Sequence, residues 1–299
     1  MTKEEISEAF KLLQDRICKR LEALDTKAQF HQDLWSRKEG GGGRTRIIQA
    51  GKVFEKGGVN YSAVHGPVSD MMRKQLKLDG NEFYATGVSI VLHPHNPHVP
   101  IMHMNVRYFE LDTGEHWFGG GIDMTPHYVI PNQAKDFHLA LKEICDKYDP
   151  TFYPEYKTWA DKYFFIPHRE ETRGVGGIFY DHIKTKSQAE KEKMINFALD
   201  LGDAFAQLYE HQYRLGVIKE VSEQNILWRN IRRGRYAEFN LVYDRGTHFG
   251  LKTGGRIESI LMSLPKIVGW EYNYVPEENS NEAQTLKWLK EIPEWIDKI

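Results

Sequence analysis

Apolar residues recur at two different spacings along this chain, and these spacings predict where helices and strands lie. Near the amino terminus, apolar side chains follow steps of three and four, which places them on one face of a helix: Ile6, Phe10, Leu13, Ile17, Leu21 and Leu24. We predict one helix over residues 3–38, ended by the glycines at 40–43. Strands are predicted at 45–49, 51–55 and 59–64, with Gly57 and Gly58 as a turn.

The middle of the chain alternates with a period of two. Three strands are predicted there, at 83–93, 101–111 and 116–124, with Asp112–Gly114 as the turn that makes the last two antiparallel. One face of these strands is apolar. The other face carries glycines together with Ser89, His93, His103, Asn105, Arg107 and Asp123.

The remaining pattern mixes helices with short strands. Helices are predicted at 132–148, 151–165, 257–264 and 282–292, and from Ser187 to about residue 215, where Glu190 completes a capping box. Strands are predicted at 176–181 and 235–243. Since no linker divides the chain, we expect one α+β domain over 1–299, a large and mostly antiparallel sheet flanked by helices on both sides.

The polar face of the three central strands has two interpretations. Antiparallel sheets often leave one face in water, and such a face is typically rich in Lys, Glu and Thr. Here the polar residues are His, Asn, Arg and Asp over glycines, which leave room for a wide, flat ligand. We therefore favour a binding site.

Two further clusters could bind carboxylates. Arg169 and Arg173 are four residues apart, so one helical turn would align them as a cationic pair. Gly254, Gly255 and Arg256 precede a predicted helix, whose first amides suit an anion. A solvated turn and a plain surface loop, respectively, remain equally good interpretations.

Composition narrows the function classes. The 40 Lys and Arg residues balance 42 Asp and Glu residues, so nothing indicates a nucleic-acid or anionic-membrane partner. No apolar run of about 18 residues predicts a membrane span. The two cysteines, Cys18 and Cys145, fit reduced thiols, and the acidic start of the chain fits no targeting peptide, so we expect a cytoplasmic protein.

Long stretches of the chain resemble one family, the oxygen-dependent coproporphyrinogen III oxidases. They are TGVSIVLHP (86–94), VPIMHMNVRYFE (99–110), WFGGGIDMTP (117–126), HREETRGVGGIFYD (168–181), RRGRYAEFNLVYDRGTHFGLKTGGRIESILMSLP (232–265) and WEYNY (270–274). The resemblance implies conversion of the ring A and B propionates of coproporphyrinogen III to vinyls, giving protoporphyrinogen IX with two dioxygen used and two carbon dioxide released. This step belongs to haem biosynthesis.

The resemblance also implies roles for individual residues. His103 would be the proton donor, and Asp123 would hold the pyrrole N–H groups. Substrate contacts are implied for Ser89, Asn105, Val106, Arg107, Arg169, Arg173, Gly254, Gly255 and Arg256. The stretch 236–271 matches the region assigned to dimer formation, so a homodimer is expected.

Cofactor use is left open by the sequence. Because a porphyrinogen is electron-rich and reacts with dioxygen itself, we expect dioxygen as co-substrate and no required cofactor. The alternative is a divalent metal held by the histidines that the family resemblance implies, His93, His103, His138 and His168. A non-catalytic porphyrin carrier and a metal-dependent oxygenase are the rival functions. The loop at His95 and the residue His182 depart from the family pattern.

Overall fold

A computed structural model describes residues 1–296 of the chain. The helices are α1 (Lys3–Asp25), α2 (Asp70–Leu76), α3 (Pro131–Asp146), α4 (Phe152–Tyr163), α5 (Gln188–Val217), α6 (Glu223–Val242), α7 (Arg245–Lys252), α8 (Ile257–Leu261) and α9 (Asn281–Glu291). The strands are β1 (His31–Ser36), β2 (Gly41–Gln49), β3 (Phe54–Pro67), β4 (Glu82–Pro94), β5 (Ile101–Leu111), β6 (His116–Thr125), β7 (Phe165–Ile166), β8 (Glu171–Thr172) and β9 (Gly177–Lys184).

Seven strands form one antiparallel sheet that organises the molecule. Their order is β1, β2, β3, β4, β5, β6 and β9, so each strand pairs with the strand that precedes it in the chain, up to β6. Short hairpins join most of these neighbours, because antiparallel strands need no crossover connection. The large antiparallel sheet and the α+β class predicted from the sequence are confirmed.

The apolar face of the sheet is the main core. Val88 and Ile90 of β4 and Met102 and Met104 of β5 are fully buried there, against α1 and α5. The stripe predicted for the first helix points into this core, from Ile6 to Leu21. Burial of such side chains contributes about 1.5–3 kcal/mol each, so this face supplies most of the driving force for folding.

The opposite face carries the polar residues and is only partly covered. Tyr236 of α6 packs on Val91 and Ile101 near one end of the strands. After α8, the carbonyl of Ser263 accepts a hydrogen bond from Nε2 of His93 at 2.8 Å. Helices therefore lie on both sides of the sheet, as predicted.

The amino-terminal helix is shorter than the predicted 3–38. It ends at Asp25, where Thr26 adopts a left-handed φ of 61°. The buried carboxylate of Asp25 accepts backbone N–H bonds from Ala28, Lys52, Val53 and Phe54, which draws the chain out of the helix. Residues 31–36 then form an edge strand, so the helix prediction is wrong there.

Two other local predictions are wrong. Gly57 and Gly58 lie inside β3, and the turn before it falls at Ala50, whose φ is 52°. The predicted strand 235–243 is the end of α6, a 20-residue helix that begins with a capping box between Ser222 and Asn225. A short alternating stretch cannot outweigh a helix already nucleated upstream and packed along its length.

The predicted strands at 51–55 and 59–64 are one strand, β3, which begins at Phe54, and the strand predicted at 45–49 begins four residues earlier, at Gly41. The remaining predictions hold to within two or three residues. β4, β5 and β6 match the three central strands, with a turn at Asp112–Gly114. The side chain of Ser187 accepts the N–H of Glu190 at the start of α5, although the Glu190 carboxylate bonds the N–H of Lys186. That residues 1–299 form a single domain stays a prediction.

Candidate active site

His103 and Asp123 are paired directly across β5 and β6 on the polar face of the sheet. Nδ1 of His103 donates to Oδ1 of Asp123 at 2.8 Å. An ionised carboxylate only accepts, so the proton of a neutral imidazole resides on Nδ1 and the lone pair on Nε2. The Asp123 side chain is 2% exposed and that of His103 is 24% exposed, so the imidazole is the part that reaches the open face.

Arg173 neutralises the same carboxylate from the other side. Its Nη2 lies 2.7 Å from Oδ2 of Asp123, and both side chains are 2% exposed. Burial by itself would raise the pKa of Asp123, but the charge of Arg173 and the bond from His103 outweigh it and lower that pKa. Asp123 therefore stays ionised at neutral pH.

Arg173 is held in place by α6 and by aromatic rings. Its Nη1 donates to Oδ1 of Asn240 at 2.9 Å. The guanidinium lies over the rings of Phe164, Tyr236 and Phe239 at 4.4–4.8 Å. Polar contacts thus link Asn240 to Arg173, Arg173 to Asp123, and Asp123 to His103, whose imidazole lies at the open face.

Arg107 lies on the same face of β5 as His103, four residues further along the strand. Its Nη1 bonds Oδ1 of Asn105 and its Nη2 bonds Oδ1 of Asp181, both at 2.8 Å. The ion pair covers Gly119, where an added Cβ would lie 2.6 Å from the Asp181 oxygen and 2.7 Å from Nε of Arg107. Because Gly119 has no side chain, the ion pair can occupy the space that a Cβ would otherwise take.

Arg256 reaches the same face from its β1 edge. It is the residue before α8, and its guanidinium is paired with Asp33 of β1. Asp33 faces Thr45 of β2 in the register, and Thr45 continues across the sheet through Asn60 and Ser89 to Asn105. Asp33, which Arg256 contacts, and Asn105 therefore belong to one row, in which four strand spacings of about 4.8 Å separate them by about 19 Å.

The neighbourhood of Arg256 leaves room beside it. Gly254 has a left-handed φ of 71°, and a Cβ there would meet nothing within 4 Å. Ser89, half-buried on the same row, lies opposite Asn105 in the register. The structure thus brings Ser89, His103, Asn105, Arg107 and Asp123 together, with Arg256 at the far end of the row.

Arg169 and Arg173 do not form the predicted cationic pair. A short 3-10 turn at Pro167–Arg169 and the strand β8 separate them, so no helical turn aligns them. Arg169 makes a two-point contact with Glu238, at 2.9 and 2.7 Å, at the surface. Arg173 is buried on Asp123 instead. The two side chains serve different carboxylates because the backbone reverses direction between them.

The side chain of Val106, for which a substrate contact was predicted, does not face the candidate site. It pairs with Val88 across β4 and β5, and both side chains are fully buried in the main core. Its neighbours Asn105 and Arg107 face the site because successive side chains alternate between the two faces of a strand. A side-chain contact from Val106 to a ligand on the polar face is therefore excluded.

The four histidines proposed as metal ligands are not brought together. Both ring nitrogens of His138 are engaged, by the Tyr153 hydroxyl and the Val175 carbonyl, at 2.9 Å each. His168 bonds Tyr243 and Glu238 at the surface. Within residues 1–296, no three His, Cys, Asp or Glu side chains are grouped as a metal site requires. The four histidines therefore do not form the metal site that was predicted for them.

Several residues of this site were missed in the sequence. Asp181 ends a predicted strand and shares its face with Gly177 and Phe179, so alternation along that strand could have indicated it. Asp33 lies where a helix was predicted, and Asn240 lies where a strand was predicted. For these two, the local pattern held no usable signal.

Comparison with known proteins gives one consistent family. The profile of the family described as Coproporphyrinogen III oxidase matches residues 5–295. The chain is 45% identical over 298 residues to Coproporphyrinogen-III oxidase 1, chloroplastic, of Arabidopsis thaliana, covering 95% of this chain and 76% of that protein. It is 46% identical over 297 residues to the mitochondrial oxygen-dependent enzyme of Rattus norvegicus, covering 95% and 66%. For the oxygen-dependent enzyme of Drosophila melanogaster the figures are 45% over 298 residues, 95% and 76%.

Proposed function

Because this chain belongs to the coproporphyrinogen III oxidase family, we propose that its polar sheet face binds coproporphyrinogen III and that His103, Asp123 and Arg173 support the reaction. The activity is the oxygen-dependent oxidative decarboxylation of this porphyrinogen in haem biosynthesis. Propionates on rings A and B become vinyls, and the product is protoporphyrinogen IX. A carrier without chemistry is not favoured by these relatives.

The stoichiometry of the reaction requires a proton donor. Each propionate side chain, CH₂CH₂COO⁻, takes up one proton and yields a vinyl group, one carbon dioxide and two hydrogen atoms for dioxygen. That balance holds whether dioxygen is reduced to hydrogen peroxide or to water. A group that delivers a proton beside the reacting side chain would therefore assist every turnover.

We assign that role to His103. Nδ1 is committed to Asp123, which leaves Nε2 directed away from the carboxylate on the partly exposed imidazole. When the ring is protonated, Nε2–H is the proton that it can deliver, and Asp123 stabilises the cation that carries it. This chain of contacts is the single observation on which the assignment rests.

Asp123 then acts mainly by holding His103. The family resemblance implies that this aspartate binds pyrrole N–H groups, but here each of its oxygens already accepts one hydrogen bond within the protein. Arg173 compensates its charge and Asn240 holds Arg173. A second lone pair on each oxygen would still permit a pyrrole contact once substrate is bound.

The propionates that do not react need cationic partners at the rim of the macrocycle. Arg107 and Arg256 lie on the polar face, and their side chains are partly exposed. A planar guanidinium binds a carboxylate at two points, which a mobile ammonium cannot do. We propose both as propionate-binding residues, with Ser89, Asn105, Gly254 and Gly255 beside them.

No cofactor enters this proposal, and a direct measurement tests that. Enzyme treated with chelator, and verified by elemental analysis to lack metal, should consume dioxygen with coproporphyrinogen III and release two carbon dioxide per substrate. The ratio of dioxygen to carbon dioxide is 1:1 if hydrogen peroxide forms and 1:2 if water forms. Activity that disappears on chelation and returns with one divalent metal would contradict the proposal.

A homodimer is proposed on the surface formed by 236–271. Large exposed apolar side chains occur repeatedly in this stretch: Leu241, Val242, Leu251, Ile257, Ile267 and Trp270. Exposed apolar side chains, aromatic ones above all, are enriched where two chains meet. Trp270→Glu should shift the mass in solution from dimer to monomer, whereas Ile218→Glu, outside the stretch, should not. A monomeric parent protein would contradict the proposal.

We propose a cytoplasmic location, which the two cysteines support. No helix within residues 1–296 has the length and hydropathy needed to cross a bilayer. Cys18 and Cys145 are buried free thiols in α1 and α3, which fits a reducing compartment. Fractionation of source cells tests this proposal, and recovery of the enzyme in an organelle would contradict it.

A further inference from the structure

Each arginine proposed to bind a propionate already holds a carboxylate of its own chain. Nη2 of Arg107 lies 2.8 Å from Oδ1 of Asp181. Arg256 pairs with Asp33 in the same way at the other end of the face. Both pairs are partly exposed, and both lie on the face where a polycarboxylate would bind. Neither aspartate has a role in the reaction described above.

We propose that Asp181 and Asp33 are internal counter-ions that a substrate carboxylate must displace, and that they set how tightly the site binds a polycarboxylate. This inference rests on the proposed function, because it takes Arg107 and Arg256 as the propionate-binding groups. It makes the two aspartates specificity-determining residues. They would keep the cationic site neutral in the free enzyme and weaken its attraction for smaller anions.

The surroundings of the two aspartates differ from those of the structural carboxylates. Glu238 is held by Arg169, Arg235, His168 and the indole of Trp270, which together lower its pKa to about 2 although burial would raise it. Asp33, on the edge strand, has Arg256 as its ion-pair partner within the described part of the chain. A carboxylate with one partner and free access to water is the easier one to displace.

Asp181 is intermediate between these two cases. Besides Arg107, it accepts the N–H of His182 at 2.9 Å and lies 3.3 Å from Nδ1 of that histidine. Both contacts with His182 are local, since the residues are adjacent in the chain. The long-range contact is the one with Arg107, and a rotation of the Asp181 side chain would break it without moving the backbone.

A purely structural role for these pairs predicts the opposite result. If Asp33 and Asp181 only orient their arginines, then removing either carboxylate frees the guanidinium and weakens substrate binding. If they compete with substrate, removing either carboxylate strengthens it. The sign of the change in affinity therefore separates the two ideas.

The test uses the full chain and coproporphyrin, the stable oxidised tetracarboxylate, titrated by fluorescence. Asp181→Asn and Asp33→Asn should each lower the Kd of coproporphyrin by about 2- to 5-fold, the size expected for one partly exposed charge pair. The gain should shrink as NaCl is raised. Asp15→Asn is the matched control, because Asp15 pairs with Arg44 and Arg46 on the opposite face of the sheet. The Kd of coproporphyrin for this variant should stay unchanged.

Two arginine variants separate failure of this inference from failure of the proposed function. Arg107→Ala and Arg256→Ala should weaken coproporphyrin binding about 10-fold or more. If they do so while both aspartate variants bind equally or less tightly, the counter-ion inference is overturned and the arginine assignment stands. If neither arginine variant changes the Kd, the proposed substrate site itself is wrong. Should Asp181→Asn fail to fold, Asp33→Asn on the edge strand decides the question.

Discussion

Nδ1 of His103 lies 2.8 Å from Oδ1 of Asp123, and the two residues are direct partners in the pairing of β5 with β6. Their backbone positions are therefore fixed by the sheet rather than by a loop. Arg173 approaches the same carboxylate from outside the sheet and keeps it ionised. This arrangement presents one imidazole, in a defined tautomer, to the face that also carries Ser89, Asn105 and Arg107.

Asp123→Asn should separate catalysis from binding. An amide cannot stabilise the imidazolium as a carboxylate does, so we expect kcat to fall by about 10²- to 10⁴-fold, with little change in the Kd of coproporphyrin. The variant should also lose roughly 3–5 kcal/mol of stability, because the charge of Arg173 is left buried without its partner. Turnover per folded molecule is measured after a check of secondary structure by circular dichroism.

Asp25→Asn is the control for that variant. Asp25 is another buried carboxylate, but it ends α1 and accepts backbone N–H bonds from Lys52, Val53 and Phe54. Its replacement should reduce stability and leave kcat per folded molecule unchanged. Full turnover by well-folded Asp123→Asn protein would remove Asp123 and the orientation of His103 from the mechanism.

Arg256→Ala should reduce substrate binding more than it reduces turnover at saturation. Loss of a charged hydrogen-bond partner for one propionate costs roughly 1.5–3 kcal/mol in affinity. The measurement is KM for coproporphyrinogen III together with the Kd of coproporphyrin. Arg46→Ala, on the opposite face of the sheet, serves as the control. An unchanged KM would exclude Arg256 from the site.

Two neighbouring glycines should respond differently to alanine. At Gly119 the new Cβ would meet the ends of the Arg107 and Asp181 side chains, which can move, so we expect weaker substrate binding and less than about 1 kcal/mol lost in stability. At Gly121 it would lie 2.6 Å from the carbonyl oxygen of Ile178, which cannot move, so about 1–3 kcal/mol should be lost. Urea unfolding and coproporphyrin titration measure the two effects. Equal loss of stability in both variants would contradict this distinction.

Three buried histidines should make the protein sensitive to mild acid. Burial lowers the pKa of His138 to about 4 and also holds the pKa values of His93 and His127 well below the usual range. Between about pH 6.5 and 4 the unfolded chain therefore binds more protons than the folded one, so stability falls as pH decreases. Each histidine contributes up to about 1.4 kcal/mol per pH unit.

The measurement is the free energy of unfolding by urea from pH 7 to 4.5. The carboxylates with lowered pKa values, Asp123 and Asp181, lose their stabilising charge only at lower pH, below the ordinary carboxyl range. His138→Gln should remove about one proton from the slope in this interval. A flat profile between pH 6.5 and 4.5 would show that these histidines do not remain neutral in the folded protein.

Strand alternation predicted the centre of the site because it depends on local geometry alone. Once 83–93, 101–111 and 116–124 are strands, the face of every side chain follows from a period of two. Placement of Ser89, His103, Asn105, Arg107 and Asp123 on one face is confirmed by the register. The same rule places the Val106 side chain in the core, so only its backbone could contact a ligand on the polar face, and its assignment to substrate binding stays a prediction from the resemblance.

Predictions failed where a distant contact decides the local conformation. Residues 31–36 are a strand because β2 offers a pairing edge and Asp25 ends the helix before it. Arg169 and Arg173 have a helical spacing, yet Glu238 and Asp123 hold them in different directions. Spacing along the chain cannot reveal which carboxylate a guanidinium will meet.

The sequence by itself determined the central antiparallel strands, the side of the sheet on which the histidine and the aspartate lie, and the family of the chain. These follow from short-range periodicity and from long matching stretches, which need no knowledge of the fold. Only the tertiary structure decided that Arg173 neutralises Asp123, that Asp33 and Asp181 hold the other arginines, and that the four histidines stay apart. Those contacts join residues 50 to 223 positions apart. The pairing of β9 with the sheet and the position of the segments before β9 and α8, rather than any local pattern, bring such distant groups together.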